Sequence, residues 1–215
     1  AVKEKKSKEV SAMANKDKPN SKVEIHIENS KETSIEVIWG DGSIDTNPAI
    51  YSHIYKQPNM YQIAIIGDDI TSIALNDNNR VIFADGNKYV KTVKLSSTIA
   101  AIPEYAFCEC VNLTNIDIND NNTDIGIGAF YDCYNLKNIV IPTGISNIND
   151  YTFAFCHSLE TISFPLVLQR IGEAAFIECS KLIVSEIPIG VQQIASRAFV
   201  ILFFAFFIQF SRTVI

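Results

Sequence analysis

From Val23 onward the chain alternates apolar and polar positions. VEIHIEN places Val23, Ile25 and Ile27 on one side, SIEVIW continues with Ile35 and Val37, and YQIAIIG with Tyr61, Ile63 and Ile65. Period-two runs separated by turn residues predict antiparallel strands of a small sandwich. Asp41-Gly42, after Trp39-Gly40, offers a pair suited to positive φ, and Gln57-Pro58-Asn59 is a second turn signal.

Beyond residue 68 the pattern changes to a longer period. Cys110, Cys133, Cys156 and Cys179 are spaced by 23 residues, as are Phe107, Phe130, Phe153, Phe176 and Phe199. Leu113, Leu136, Leu159 and Leu182 keep the same step, with Ile102, Ile125, Ile148, Ile171 and Ile194. Self-similarity at a fixed period means that each unit is a supersecondary module, stable only when stacked on its neighbours. The strand piece of each unit reads Leu-x-x-Ile-x-Ile, at Leu113, Ile116 and Ile118 for instance. Stepping back gives Val90, Val93 and Leu95, then, after a step of 20, Ile70, Ile73 and Leu75. Stepping forward gives Leu182 and Ile187, with Ser185 in place of the middle apolar residue, then Ala205, Ile208 and Phe210.

Each column has a physical role. The apolar strand residues point inward at period two, and Pro142, Pro165 and Pro188 stop the strand where a missing donor is tolerated. Ile145, Leu168 and Val191, then the Ile148 column, carry the chain back to the core. The Ala-Phe element, as at Ala129-Phe130, predicts an irregular or short helical outer turn in which Phe buries a large area. Equivalent cysteines in adjacent coils stand about one strand spacing apart, roughly 4.7–4.9 Å. A ladder of small buried thiols is the favoured reading, with disulfide bridges the alternative, because bridges demand a specific Cβ geometry. A zinc site is disfavoured, since no cysteine pair except Cys108 and Cys110 has close spacing and neither has an adjacent His.

The two ends depart from the pattern. Residues 1–22 are Lys-rich, nearly free of large apolar residues and broken by Pro19, which predicts a flexible charged tether. AFVILFFAFFI, Ala198–Ile208, is apolar throughout and too short for a membrane span of roughly 18 or more residues. Three readings stand: a cap over the last coil, a surface for a partner or second copy through Val200–Phe210, or an altered continuation of the repeat.

Composition narrows the function. A 47% hydrophobic and 20% charged chain of 215 residues can bury a core. Residues 1–31 hold eight Lys against five acids, leaving ten basic and nineteen acidic residues in the rest, which argues against nucleic acid as a partner. Ala1 opens the sequence with no initiator Met, leader segment or lipid-attachment Cys.

Two resemblances add to this. WGDGS at Trp39–Ser43, YSHIY at Tyr51–Tyr55 and YQIAI at Tyr61–Ile65 resemble the PKD-type immunoglobulin-like domain, over residues 23–68. The unit AFYDCYNLKNIVIP, Ala129–Pro142, resembles the BspA-like class of leucine-rich repeats, over residues 69–215. Together they imply a mainly β fold, a PKD-like β-module followed by a leucine-rich-repeat solenoid with an atypical apolar last coil. The second resemblance implies a secreted or cell-surface protein that adheres to host extracellular matrix protein and to other cells, while a small sheet face uncharged in its middle suits a protein or glycan ligand.

Catalytic chemistry is not in view: the three His residues are scattered, and no phosphate loop, dinucleotide fingerprint or Gly-x-Ser-x-Gly turn occurs. Cys156-His157 as a dyad requires an exposed sulfur. Asp41, Asp45 and His53 offer too few oxygens for a hard cation, so turn chemistry and a hydrogen-bonded structural His are the preferred readings, and no cofactor is expected. The surface a solenoid offers is the outward sheet face: Thr92 and Lys94, Asn115 and Asp117, Asn138 and Val140, Thr161 and Ser163, Val184 and Glu186. The expected function is non-catalytic adhesion or protein interaction through that face. A structural spacer, or an accessory module of a surface enzyme, is the alternative.

Overall fold

The computed structural model describes residues 9–15, 21–29, 35–46, 51–56, 60–67, 70–74, 90–95, 99–121, 123–184 and 186–200. Among them the chain forms strands and turns: β1 (Glu9–Asn15), β2 (Ser21–Asn29), β3 (Ile35–Ile38), β4 (Ile44–Thr46), β5 (Tyr51–Tyr55), β6 (Met60–Gly67), β7 (Ile70–Ala74), β8 (Val90–Lys94), β9 (Ala101–Ile102), β10 (Asn115–Asp117), β11 (Asp124–Ile125), β12 (Asn138–Val140), β13 (Asn147–Ile148), β14 (Thr161–Ser163), β15 (Arg170–Ile171) and β16 (Gln193–Ile194). No helix of the described residues is long and apolar enough to cross a membrane.

The alternating N-terminal text forms two antiparallel sets. One is β5-β2-β7; the other belongs to a six-stranded sheet of order β10-β8-β1-β6-β3-β4. Within residues 1–22, expected as a tether, the described residues form strands. Glu9–Asn15 is an interior strand, antiparallel to β6 on one edge and to β8 on the other, and Ser21 and Lys22 already belong to β2. EVSAMAN has no large apolar run except Met13, but a strand flanked on both edges satisfies its backbone groups on both sides and tolerates weak side-chain preference. Ile70–Ala74, expected as the first coil, instead pairs antiparallel with β2. Its step to the next unit is 20 rather than 23 residues, so it falls out of register with the stack.

Parallel stacking begins with β8 and β10, where Asn115 stands opposite Thr92 and Asp117 opposite Lys94. The same step of one repeat relates β12 to β14, β9 to β11, β13 to β15, and β15 to β16. Each coil therefore carries two ladders: the Leu-x-x-Ile-x-Ile strand, and a two-residue strand at the Ile102 column, which the sequence suggested only as a return to the core. The fold is a solenoid of about four described turns.

The outer element is not helical. From Tyr105 to Cys110, Gly128 to Cys133, Tyr151 to Cys156 and Ala174 to Cys179, alternate N–H groups donate within the coil and to the next coil. Phe107 N–H, for example, reaches Ala129 O at 2.8 Å, while Cys110 N–H returns to Phe107 O at 3.1 Å. The curvature is set by two left-handed positions per unit: Tyr105, Gly128, Tyr151, Ala174 and Arg197 in one column, Glu109, Asp132, Phe155 and Glu178 in the other. Gly128 is the only glycine among them, so the sequence carried little sign of these turns.

Inside, Phe107, Phe130, Phe153 and Phe176 are fully buried and stack ring on ring at 5.4 Å, with Phe199 joining at 5.2 Å. Beside them runs the expected thiol ladder. All five cysteines are buried thiols outside any disulfide, and the Sγ–H of Cys133, Cys156 and Cys179 donates to the carbonyls of Phe107, Phe130 and Phe153 at 3.0–3.2 Å. One core crosses from module to solenoid: Val37, Trp39 and Ile63 share a buried cluster with Val93, Ile116 and the Phe column, and β1 pairs with β6 on one edge and β8 on the other.

Candidate interaction face

The outward residues of the Leu-x-x-Ile-x-Ile strands form rows because the strands are parallel and in register. Thr92 and Asn115 are neighbours in the first row, and Asn138 and Thr161 continue it, with Thr161 Oγ1 donating to Asn138 Oδ1 at 2.7 Å. Lys94 and Asp117, then Val140 and Ser163, make the second row. The Lys94–Asp117 pair is 3.9 Å apart and mostly solvated, so it adds little stability. Asn115, Asp117, Asn138, Val140, Thr161 and Ser163 are exposed, and Thr92 is half-buried. Carboxamides, hydroxyls and a carboxylate at strand spacing give donors and acceptors that the coils' own backbones do not consume.

The last coil breaks the pattern. Val184, expected on the face, is buried to 8% exposure, and Ile183 bridges Thr161 instead and stands 71% exposed. With Ser185 where the coil wants an apolar residue, Leu182 and Val184 supply the inward pair and the register slips by one, which moves each side chain to the opposite face. Glu186 is exposed as expected. The signal for Ile183 was present in the sequence: three consecutive apolar residues before a Ser cannot all face inward. Val140 and Ile183, 70% and 71% exposed, make the C-terminal half of the face more apolar than the half around Asn115 and Asp117.

The other singled-out residues have structural roles. His53 stacks on Trp39 at 5.0 Å and its Nε2 lies 2.8 Å from Asp41 Oδ2, while Trp39 Nε1–H donates to Asp45 Oδ2 at 2.8 Å. Burial works to raise the Asp41 carboxyl, but hydrogen bonds from Ser43 and His53 outweigh it and leave it below the usual value. The positive φ values of this turn fall on Gly40 and Gly42, not on Asp41. Cys156 is buried, and burial holds its thiol far above the ordinary range, so Cys156 and His157 do not form a reactive dyad. His157 packs between Tyr134 and Phe155, with ring centroids at 5.0 and 6.2 Å. The expected apolar surface at Val200–Phe210 lies outside the described residues except for Val200, which is exposed.

Comparison with known proteins agrees with the geometry. The family model described as BspA type Leucine rich repeat region matches residues 76–201 in six copies. A leucine-rich repeat protein of T. pallidum is 34% identical with a TM-score of 0.49, covering 50% of this chain and 53% of that one. A leucine rich cell surface protein of Faecalibacterium prausnitzii is 20% identical with a TM-score of 0.44, covering 81% and 52%. One from Bacteroides ovatus is 23% identical with a TM-score of 0.42, covering 80% and 51%. The chain thus spans about half the length of these solved structures. No curated protein matches it.

Proposed function

The chain belongs to the BspA-type leucine-rich repeat family, and from that premise we propose that it is a non-catalytic adhesion module of the cell surface or secreted space. Leucine-rich repeats generally mediate protein interactions, so a protein partner follows from the family. The finer reading is a host matrix protein or glycan bound on the sheet face. One observation carries it: the outward residues Asn115 and Asp117, and the in-register pairs Asn138–Thr161 and Val140–Ser163, stand exposed across successive coils. A repeating row of donors and acceptors, one per coil, suits a ligand that is itself repetitive or extended. The likeness of residues 23–68 to a PKD-type domain supports display at a surface, the module serving as a base for the solenoid.

The test is a triple substitution of Asn115, Asn138 and Thr161 to Ala, with binding measured on immobilised extracellular-matrix proteins and on a glycan array. Loss of binding with an unchanged melting curve supports the face. Binding that persists undiminished removes it, and no binding by either protein favours a spacer that displays other domains.

A further inference from the structure

We propose that the open strand edge of the last coil takes the chain's own residues 201–210, laid on it as one further parallel rung. Up to Val200 the chain is still in step with the stack. Ala174, Phe176 and Glu178 donate their N–H groups to the carbonyls of Ser196, Ala198 and Val200 at 2.8–3.0 Å, as Tyr151, Phe153 and Phe155 do one coil earlier to Glu173, Ala175 and Ile177. Phe199 carries the ring stack on, 5.2 Å and 6° from Phe176. On the sheet side Leu182 and Val184 belong to the buried core, and Ile183 bridges Thr161 in parallel and stands 71% exposed. Thr161 has Asn138 on one edge and Ile183 on the other, so the coil before the last is paired on both. Among the described residues no strand pairs with the far edge of residues 182–184. A strand edge with unspent backbone groups, beside an exposed Ile, is a place for strand addition.

Connectivity and the repeat columns name the occupant. In the inner coils three residues lead from the stacked Phe to the buried Cys and three more to the inward Leu, as at Phe153, Cys156 and Leu159. The same steps from Phe199 arrive at Leu202 and Ala205, then at Ile208 and Phe210 in the columns of Ile116 and Ile118. Gln209 is the one polar residue of ILFFAFFIQF, residues 201–210, and it falls in the column of Asp117, Val140, Ser163 and Glu186, all of which are exposed. A segment serving another purpose has no reason to keep its polar residue at the outward position. Ser211 then takes the place of Pro142, Pro165 and Pro188 at the strand end. In that register Phe206 falls one repeat after Ile183, so the rung continues the apolar end of the sheet face. The segment is tethered at Val200, and this edge therefore meets it at a far higher effective concentration than it meets a second copy. The inference holds whatever ligand the sheet face takes.

The test uses the five native thiols, all buried, as a silent background. In the full chain Leu202→Cys adds a thiol to the buried Cys column, and Gln209→Cys adds one to the outward column. With a thiol reagent at pH 8 and no denaturant, Gln209→Cys should react as fast as an unfolded cysteine and Leu202→Cys at least a hundredfold more slowly. A hundredfold dilution of the protein should leave both rates unchanged. If Leu202→Cys melts below the parent, Ala205→Cys in the inward Leu column takes its place, with the same protection expected. Equal rates at the inward and outward positions, whether fast or slow, overturn the rung. Protection that disappears on dilution gives the edge to a second copy and overturns it as well.

Discussion

Phe153 lies between Phe130 and Phe176, with both ring faces covered at 5.4 Å. Truncating it removes a large buried side chain and two aromatic contacts from the middle of the stack, so Phe153→Ala should cost about 3–5 kcal/mol in chemical denaturation. Phe199→Ala should cost clearly less, because that ring is half-buried and stacks on one side only among the described residues. The left-handed columns give a prediction of opposite signs. Gly128→Ala drives a Cβ into the Tyr105 ring at φ 58°, which must destabilise. Glu178→Gly, at φ 60° and with no side-chain hydrogen bond or ion pair among the described residues, should raise stability by up to about 1 kcal/mol. The Phe column was legible because burial of a large residue demands the same chemistry in every coil. The left-handed columns were not, because inter-coil hydrogen bonds hold Tyr, Asp, Glu, Phe, Ala and Arg there, and Gly128 alone marks the place.

At the scale of one repeat column, the thiol ladder makes reactivity a measure of folding. Burial pushes the Cys179 thiol, and with neighbouring Glu109 and Asp132 the Cys108 thiol, up to about 12, and it also raises Cys110, Cys133 and Cys156. A thiol reagent at pH 8 should therefore find no fast site in the native protein and five in denaturant; two or more fast native sites would contradict the ladder. Between columns, Asp150 clamps one coil to the next. Its Oδ1 accepts from Arg170 and from the Glu173 N–H, both at 2.8 Å. Burial opposes ionisation of Asp150, but these donors outweigh it and lower its pKa. A depressed folded pKa gives stability that is complete above the ordinary carboxylate value and lost as pH falls through the folded one. Asp150→Asn should thus melt lower than the parent at pH 7, and the gap should close below about pH 3.8. Glu109 and Asp132 carry the reverse sign. Their raised pKa values favour folding when protonated, so that stabilisation is lost as pH rises, and Glu109→Gln should melt higher than the parent at pH 7 with the difference shrinking on acidification.

For the whole molecule, the decisive element is the one whose sequence looked least structured. The repeat was readable from four aligned columns, and the face from period two within them; Val184 and Ile183 changed places only because one coil lacks its middle apolar residue. β1 left no such mark, since a central strand with ladders on both edges draws its stability from the backbone and can be written in Ala, Ser and Asn. Its placement makes module and solenoid one cooperative unit: β1 joins β6 to β8, and β8 carries the first parallel rung of the solenoid. Deleting residues 1–20 would expose the facing edges of both strands and open the core that Ile63 shares with Val93 and Ile116. A dispensable tether would leave the melting curve unchanged. An interior strand predicts a lower first transition, and separation of one unfolding event into two, as the antiparallel module melts before the coils around Phe130, Phe153 and Phe176 that retain their own stack. Differential scanning calorimetry of the full and shortened chains distinguishes the two, and a single transition at the parent temperature would remove β1 from the core.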